Sequence, residues 1–176
     1  DVVESLMVAL AEVEGAYSLL LVTDSCLIAA RDPHGFRPLA IAELNGFHCF
    51  ASESCAFALL GAKKRRELEP GEVAVARGGR LESFRLAQKA EPSRCLFEHV
   101  YFARPDSVVF GDSVAEVRRR LGEQLAREAP AAADIVVAVP DSGLYAAVGY
   151  SRESGLPFEL GMTRNHYVGR TFIEPK

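Results

Sequence analysis

Around residue 90 this sequence switches from hairpins to a strand–loop–helix–strand pattern, and the two belong to different kinds of sheet. Asn45-Gly46 separates the apolar runs 39–44 and 47–51, and Gly78-Gly79 separates 72–77 from 80–86. Both positions of a two-residue hairpin loop need positive φ, which Asn and Gly accept, so each pair predicts an antiparallel hairpin. Ahead of them, Val3, Leu6, Met7, Leu10 and Val13 fall at helical spacing and Gly15 follows as a stop, predicting an amphipathic helix over 1–14. Residues 17–23 and 27–30 read as strands, Asp32-Pro33-His34-Gly35 as a turn, and 55–62 as a short helix.

Residues 88–93 are polar and include Pro92, the signature of a linker. Beyond them, Ser113-Val114-Ala115-Glu116 is a capping box, and Val114, Val117, Leu121 and Leu125 form an apolar stripe. Glu116/Arg120 and Glu123/Arg127 stand at i, i+4 on that helix. Residues 134–139 do not alternate and predict a strand buried on both faces. The loop Pro140-Asp141-Ser142-Gly143, a helix over 144–154, Gly155 and a strand over 156–160 complete a βαβ unit, the element of a parallel sheet. The expectation is therefore two domains, each incomplete, meeting at the linker over 88–93.

The 176 residues are 49% hydrophobic and 25% charged, with a net charge of -4, as in a globular domain. No basic footprint for nucleic acid is present. Lys63-Lys64-Arg65-Arg66 runs into Glu67 and Glu69 and reads as a solvated helix end. The apolar runs are strand-sized, far from the ~20 residues of a membrane span. The four cysteines, 26, 49, 55 and 95, lack CxxC spacing, which predicts reduced thiols and a cytoplasmic setting. A start inside a predicted helix and a stop at Pro175-Lys176 read as a segment of a longer chain.

A loop between a buried parallel strand and a helix N-terminus is where open α/β sheets hold ligands, and the exposed amides there suit an anion. Pro140-Asp141-Ser142-Gly143 occupies that place. Asp and Ser can offer oxygens to a cation or hydroxyl, and Gly143 allows close backbone approach, although both polar residues are also ordinary N-caps. Cys95 precedes the apolar-aromatic run 96–102 and reads on its own as a small core residue. His99 reads as structural. Arg164 to Thr171 is a donor-rich loop, suited equally to solvent or to closure over a phosphorylated substrate.

Seven blocks, in order along the chain, carry a resemblance. Gly15-Ala16-Tyr17-Ser18, Arg31-Asp32-Pro33-His34-Gly35-Phe36-Arg37-Pro38-Leu39, Ala51-Ser52-Glu53-Ser54-Cys55-Ala56 and Pro70-Gly71-Glu72-Val73 are the first four. The remainder are the run from Phe97 to Ser107, Val139-Pro140-Asp141-Ser142-Gly143 and the run from Asn165 to Ile173. Together they resemble amidophosphoribosyltransferase, also called glutamine phosphoribosylpyrophosphate amidotransferase. The family converts phosphoribosyl pyrophosphate and glutamine to 5-phosphoribosylamine, glutamate and pyrophosphate, the committed step of purine biosynthesis.

The resemblance implies an α+β Ntn-hydrolase-type glutaminase portion with antiparallel sheet over 1–92. The start of an α/β phosphoribosyltransferase domain with parallel sheet follows over 93–176. It implies a substrate cradle of Asp141, Ser142, Gly143, Arg164 and Arg170, with Ser142 toward Mg2+, and Cys95 as one of four thiolates of a [4Fe-4S] cluster. His166 stands where an arginine is common. Cys26, Cys49 and Cys55 match no ligand position. The nucleophilic cysteine would precede Asp1 and an acidic two-aspartate motif would follow Lys176, so no catalytic residue is expected within the segment and the segment alone is expected to be inactive. A homo-oligomer, by resemblance a homotetramer, is the expected assembly.

Three other readings compete. A salvage phosphoribosyltransferase has no need of the ninety-residue antiparallel half. Another class-II amidotransferase should not carry the Pro-Asp-Ser-Gly loop, and a non-catalytic binding module is separated by assay.

Overall fold

The computed structural model describes residues 1–88 and 90–169. They divide into two compact units, Asp1–Val114 and Ala115–Lys176.

The first unit is built in four layers. Helix α1 (Val2–Ala11) is opened by the Asp1 carboxylate, which accepts the Val3 amide at 3.2 Å. Two antiparallel sheets follow. One has the order β1-β2-β6-β7, from β1 (Ser18–Val22), β2 (Leu27–Arg31), β6 (Glu72–Arg77) and β7 (Arg80–Arg85). The other has the order β4-β3-β5, from β3 (Ala40–Leu44), β4 (Phe47–Ala51) and β5 (Lys63–Glu67). Pleat alternation sorts the core. Ile28, Ala30, Val73 and Val75 meet Val3 and Leu10 of α1, while Ala29 and Ala74 point the other way onto Leu39, Ile41 and Leu68. Ala40 and Ala42 turn outward again, onto Phe57 of α2 (Cys55–Leu60). The order helix, sheet, sheet, helix explains why β2 and β6 are apolar on both faces.

Both hairpin turns are present as expected, with φ of 52° and 83° at Asn45 and Gly46 and of 55° and 79° at Gly78 and Gly79. The basic run is not a helix end. Residues 63–67 form β5, which pairs with β3 through Ala40↔Glu67, Ile41↔Arg66 and Glu43↔Lys63 with a bulge between. The segment 88–93 is not a free tether either: the Ser93 amide donates to His34 O at 2.9 Å and the Cys95 amide to Phe36 O at 3.0 Å. Next come a π-helical turn (Glu98–Phe102) and a small hairpin of β8 (Val108–Val109) and β9 (Asp112–Ser113). Val109, Phe110 and Val114 then pack with Ala103.

The second unit holds α3 (Val114–Glu128) beyond its first residue, β10 (Val136–Val137), α4 (Leu144–Ser154) and β11 (Phe158–Glu159). Strands β10 and β11 pair in parallel, as the βαβ reading expects, through Val136↔Phe158 and Val137↔Glu159. The strand is shorter than 134–139 and half-buried, because β11 is its one neighbour among the described residues. On α3 the expected stripe is not the buried one. Leu121 and Leu125 are exposed, and the buried line runs through Val114, Arg118, Gly122 and Ala126. Gly122 lies against the Ala146 carbonyl and Gly149 of α4 against the Arg119 carbonyl, so the two helices cross backbone to backbone. Arg127 pairs with Glu153 of α4 through two 2.8 Å bonds rather than with Glu123, whereas Arg120 does reach Glu116 at 3.3 Å.

Candidate functional site

The loop 140–143 leaves β10 through the buried Ala138 and enters α4. The Pro140-Asp141 peptide is cis. The Gly143 amide donates to Val139 O at 3.1 Å and the Leu144 amide to Asp141 O at 3.3 Å, closing a tight turn. Gly143 has an ordinary helical φ of -76°. Its lack of a side chain serves packing, because a β-carbon would lie 2.8 Å from Val139 O. The Ser142 side chain is exposed, and its hydroxyl has no partner among the described residues.

Asp141 Oδ2 accepts Arg164 Nη1 at 3.1 Å, joining two of the expected site residues across 23 positions. A cavity of about 200 Å3 opens beside them, lined by Pro140, Asp141, Leu144, Leu160, Arg164 and His166. Both charges are more than half exposed, so solvent screens the pair and its net worth is small. An arginine held by a weak pair at the mouth of an anion-suited loop is available to a stronger anionic partner. Arg170 lies outside the described residues.

Asp141 and Ser142 offer oxygen donors, the type Mg2+ takes, and Mg2+ ordinarily completes its shell with water and substrate oxygens. They fit part of such a site. Cys95 is half-buried and supplies one thiolate, whereas an iron–sulfur cluster takes four ligands. Cys49 Sγ is directed at Ala42 O at 3.4 Å, and Cys26 is buried against Thr23. Among the described residues no group of three or more metal-ligating side chains occurs.

The motif residues of the first unit make structure. Asp32 is fully buried and accepts the amides of Tyr17 at 3.4 Å, His34 at 2.9 Å and Phe36 at 3.2 Å. Arg31, also buried, donates to Arg37 O at 2.9 Å and Gly35 O at 3.0 Å and pairs with Glu67 at 3.3 Å. His99 Nε2 lies 3.1 Å from Val109 O in the core, as a structural histidine should. Glu98 is buried beside Arg37, and burial pushes its carboxyl pKa up against that partner. Sequence reasoning missed the clasp of Glu53 and Ser54 on residues 104–108, for which the sequence carries no short-range signal.

Four layers around paired antiparallel sheets make up the first unit, and the second carries a βαβ loop whose Asp141 pairs with Arg164. By sequence the chain is a homologue of the amidophosphoribosyltransferases. It is 54% identical over 172 residues to the amidophosphoribosyltransferase of Rhizobium etli, covering 95% of this chain and 35% of that protein. It is 53% identical over 163 residues to the chloroplastic amidophosphoribosyltransferase of Glycine max, covering 92% of this chain and 29% of that protein. The solved glutamine phosphoribosylpyrophosphate amidotransferase of B. subtilis, complexed with ADP and GMP, superposes with a TM-score of 0.93 at 41% identity. That match covers 100% of this chain and 39% of the solved one. The chain thus spans about a third of the length of the relatives it matches. No protein-family model matches it.

Proposed function

We propose that this chain is the part of an amidophosphoribosyltransferase that joins its glutaminase and transferase halves, acting in the committed step of purine biosynthesis. The single observation that carries the reading is a relationship near 50% identity that runs across both units, with the 140–143 loop and Arg164 already set together. In this reading the four-layer unit is the later part of an Ntn-hydrolase glutaminase domain, 1–92. Residues 93–176 open a phosphoribosyltransferase domain with a parallel sheet. The whole enzyme is a cytoplasmic homotetramer using phosphoribosyl pyrophosphate and glutamine.

Displacing pyrophosphate from a sugar carbon builds positive charge on the ring and negative charge on the leaving group, so the site must hold an anion and exclude water. Residues Asp141 and Ser142 face the substrate from the turn that Gly143 closes by donating its amide to Val139 O, and Arg164 exchanges its Asp141 partner for the pyrophosphate. Arg170, outside the described residues, is assigned to the same cradle by the family resemblance alone. Ser142 is the residue that would hold Mg2+, and the ion would supply charge neutralisation of the leaving group. Cys95 would supply one thiolate if the full-length enzyme carries a [4Fe-4S] cluster.

Steady-state kinetics of the full-length enzyme with ammonia as nucleophile test the cradle without the glutaminase half. Ser142→Ala and Arg164→Gln should each raise KM for phosphoribosyl pyrophosphate. Unchanged KM and turnover in both would make the loop a structural cap. Gly143→Val is a poor probe, since its clash with Val139 disturbs the turn itself.

A further inference from the structure

A cavity of about 540 Å3 lies in the first unit, and none of residues 140–143 lines it. Its lining carries four arginines, 31, 65, 66 and 94, against two carboxylates, Glu67 and Glu69. Two of the arginines are already matched. Arg31 pairs with Glu67 at 3.3 Å, and Arg66 grips Glu72 with bonds of 2.9 and 2.6 Å. Arg65 and Arg94 form no ion pair among the described residues. Arg65 Nε donates to Ala62 O at 3.0 Å and Arg94 Nη1 to Phe110 O at 3.4 Å, contacts that leave both charges unbalanced.

The placement of Arg94 is the telling feature. Its guanidinium lies 5.6 Å from the Phe110 ring centre, and the buried guanidinium of Arg31 lies 5.7 Å from the same centre. Burial lowers the Arg31 pKa, and the like charge of Arg94 adds to that lowering. Two cations set on one aromatic ring, with an open space beside them, favour an anion that neutralises the surplus. The volume falls within the roughly 300–1,000 Å3 of small-molecule sites and exceeds what a bare phosphate fills. Leu68, Val108 and Phe110 give the rest of the wall an apolar character.

We propose that this cavity binds a small organic oxyanion, its charged head on Arg65 and Arg94 and its apolar body against Phe110. The proposal does not rest on the loop at 140–143. Arginine forks donate to phosphate and carboxylate alike, so the test carries both.

Calorimetric titration of the chain with phenyl phosphate, benzoate and inorganic phosphate decides it. Phenyl phosphate or benzoate should bind saturably, and Arg94→Gln and Arg65→Gln should each weaken that binding about tenfold. Arg94→Lys should recover part of the loss, and Arg164→Gln should leave this event unchanged. Both arginines are exposed, and melting temperatures equal to the parent's confirm that the variants are folded. Absence of saturable binding at millimolar concentrations would overturn the proposal. So would binding unaffected by the double Gln variant, or inorganic phosphate binding as tightly as phenyl phosphate.

Discussion

The carboxylate of Glu53 accepts the hydroxyl of Ser107 at 2.8 Å, across 54 residues of chain. The same oxygen accepts the Arg104 amide at 2.7 Å, and the neighbouring Ser54 hydroxyl accepts the Val108 amide at 2.8 Å. Two motifs that are separate in sequence thus form one clasp, which fixes residues 104–108 against the start of α2. Glu53→Ala should cost about 1–3 kcal/mol, as a donor pair left unsatisfied does. Ser107→Ala combined with it should be markedly less than additive in denaturant titrations, the mark of direct contact. Additive losses would mean that the two groups act separately.

Asp32 is the sharper case, because one buried carboxylate serves the amides of Tyr17, His34 and Phe36. Asp32→Ala strands those donors away from water, and the loss should reach about 3 kcal/mol or more. Urea unfolding measures it. A change below about 1 kcal/mol would show that the turn reforms its bonds elsewhere.

Propensity and packing predict opposite signs at the glycines of α3 and α4. On helix propensity alone, Gly→Ala stabilises by about 1 kcal/mol. At Gly122 and Gly149, however, the added carbon meets the Ala146 and Arg119 carbonyls of the facing helix. Each substitution should therefore lower stability by about 2 kcal/mol or more, and thermal melts followed by circular dichroism give the sign directly.

Acid and base should act oppositely on two buried glutamates. Burial would raise the Glu72 pKa, but Arg66, the Glu69 amide at 2.7 Å and the Ser83 hydroxyl at 2.8 Å outweigh it, and the net shift is downward. Its contribution is therefore present above the ordinary glutamate pKa, about 4.3, and is lost as pH falls through the folded value. Glu98 is shifted upward by burial, so its contribution is full below that ordinary value and is lost as pH rises through the folded one. Melting curves across pH should show a flatter acid limb for Glu72→Gln. Glu98→Gln should gain on the parent as pH rises through the folded Glu98 pKa, with Arg37 still stacked 4.7 Å from the Phe102 ring centre.

The readable parts of this fold are those written in neighbouring residues. Asn45-Gly46, Gly78-Gly79 and the strand–loop–helix at 136–154 announce themselves through turn chemistry and periodicity, and the structure places them as read. Strand β5 was hidden because Lys63–Glu67 has no apolar alternation; its pairing with β3 across some twenty residues makes it a strand. The buried line of α3 was hidden for a related reason, since Gly122 carries no hydrophobic signal and its value is the approach it permits. At the candidate site the loop was legible, whereas the pairing of Asp141 with Arg164 depends on where the chain returns. The cavity around Arg94 draws on strands, a loop and a hairpin that no local pattern connects.

The backbone contact between Gly149 and Arg119 also sets the mechanics of the loop at the head of α4. Gly149 lies six residues beyond Gly143, about 9 Å along the helix axis. At that distance α4 is pinned like a beam on a bearing: sliding along α3 would drive a carbonyl into an α-carbon. Movement within the candidate site must then come from 140–143 and from the Arg164 side chain, with the helix as a stationary mount.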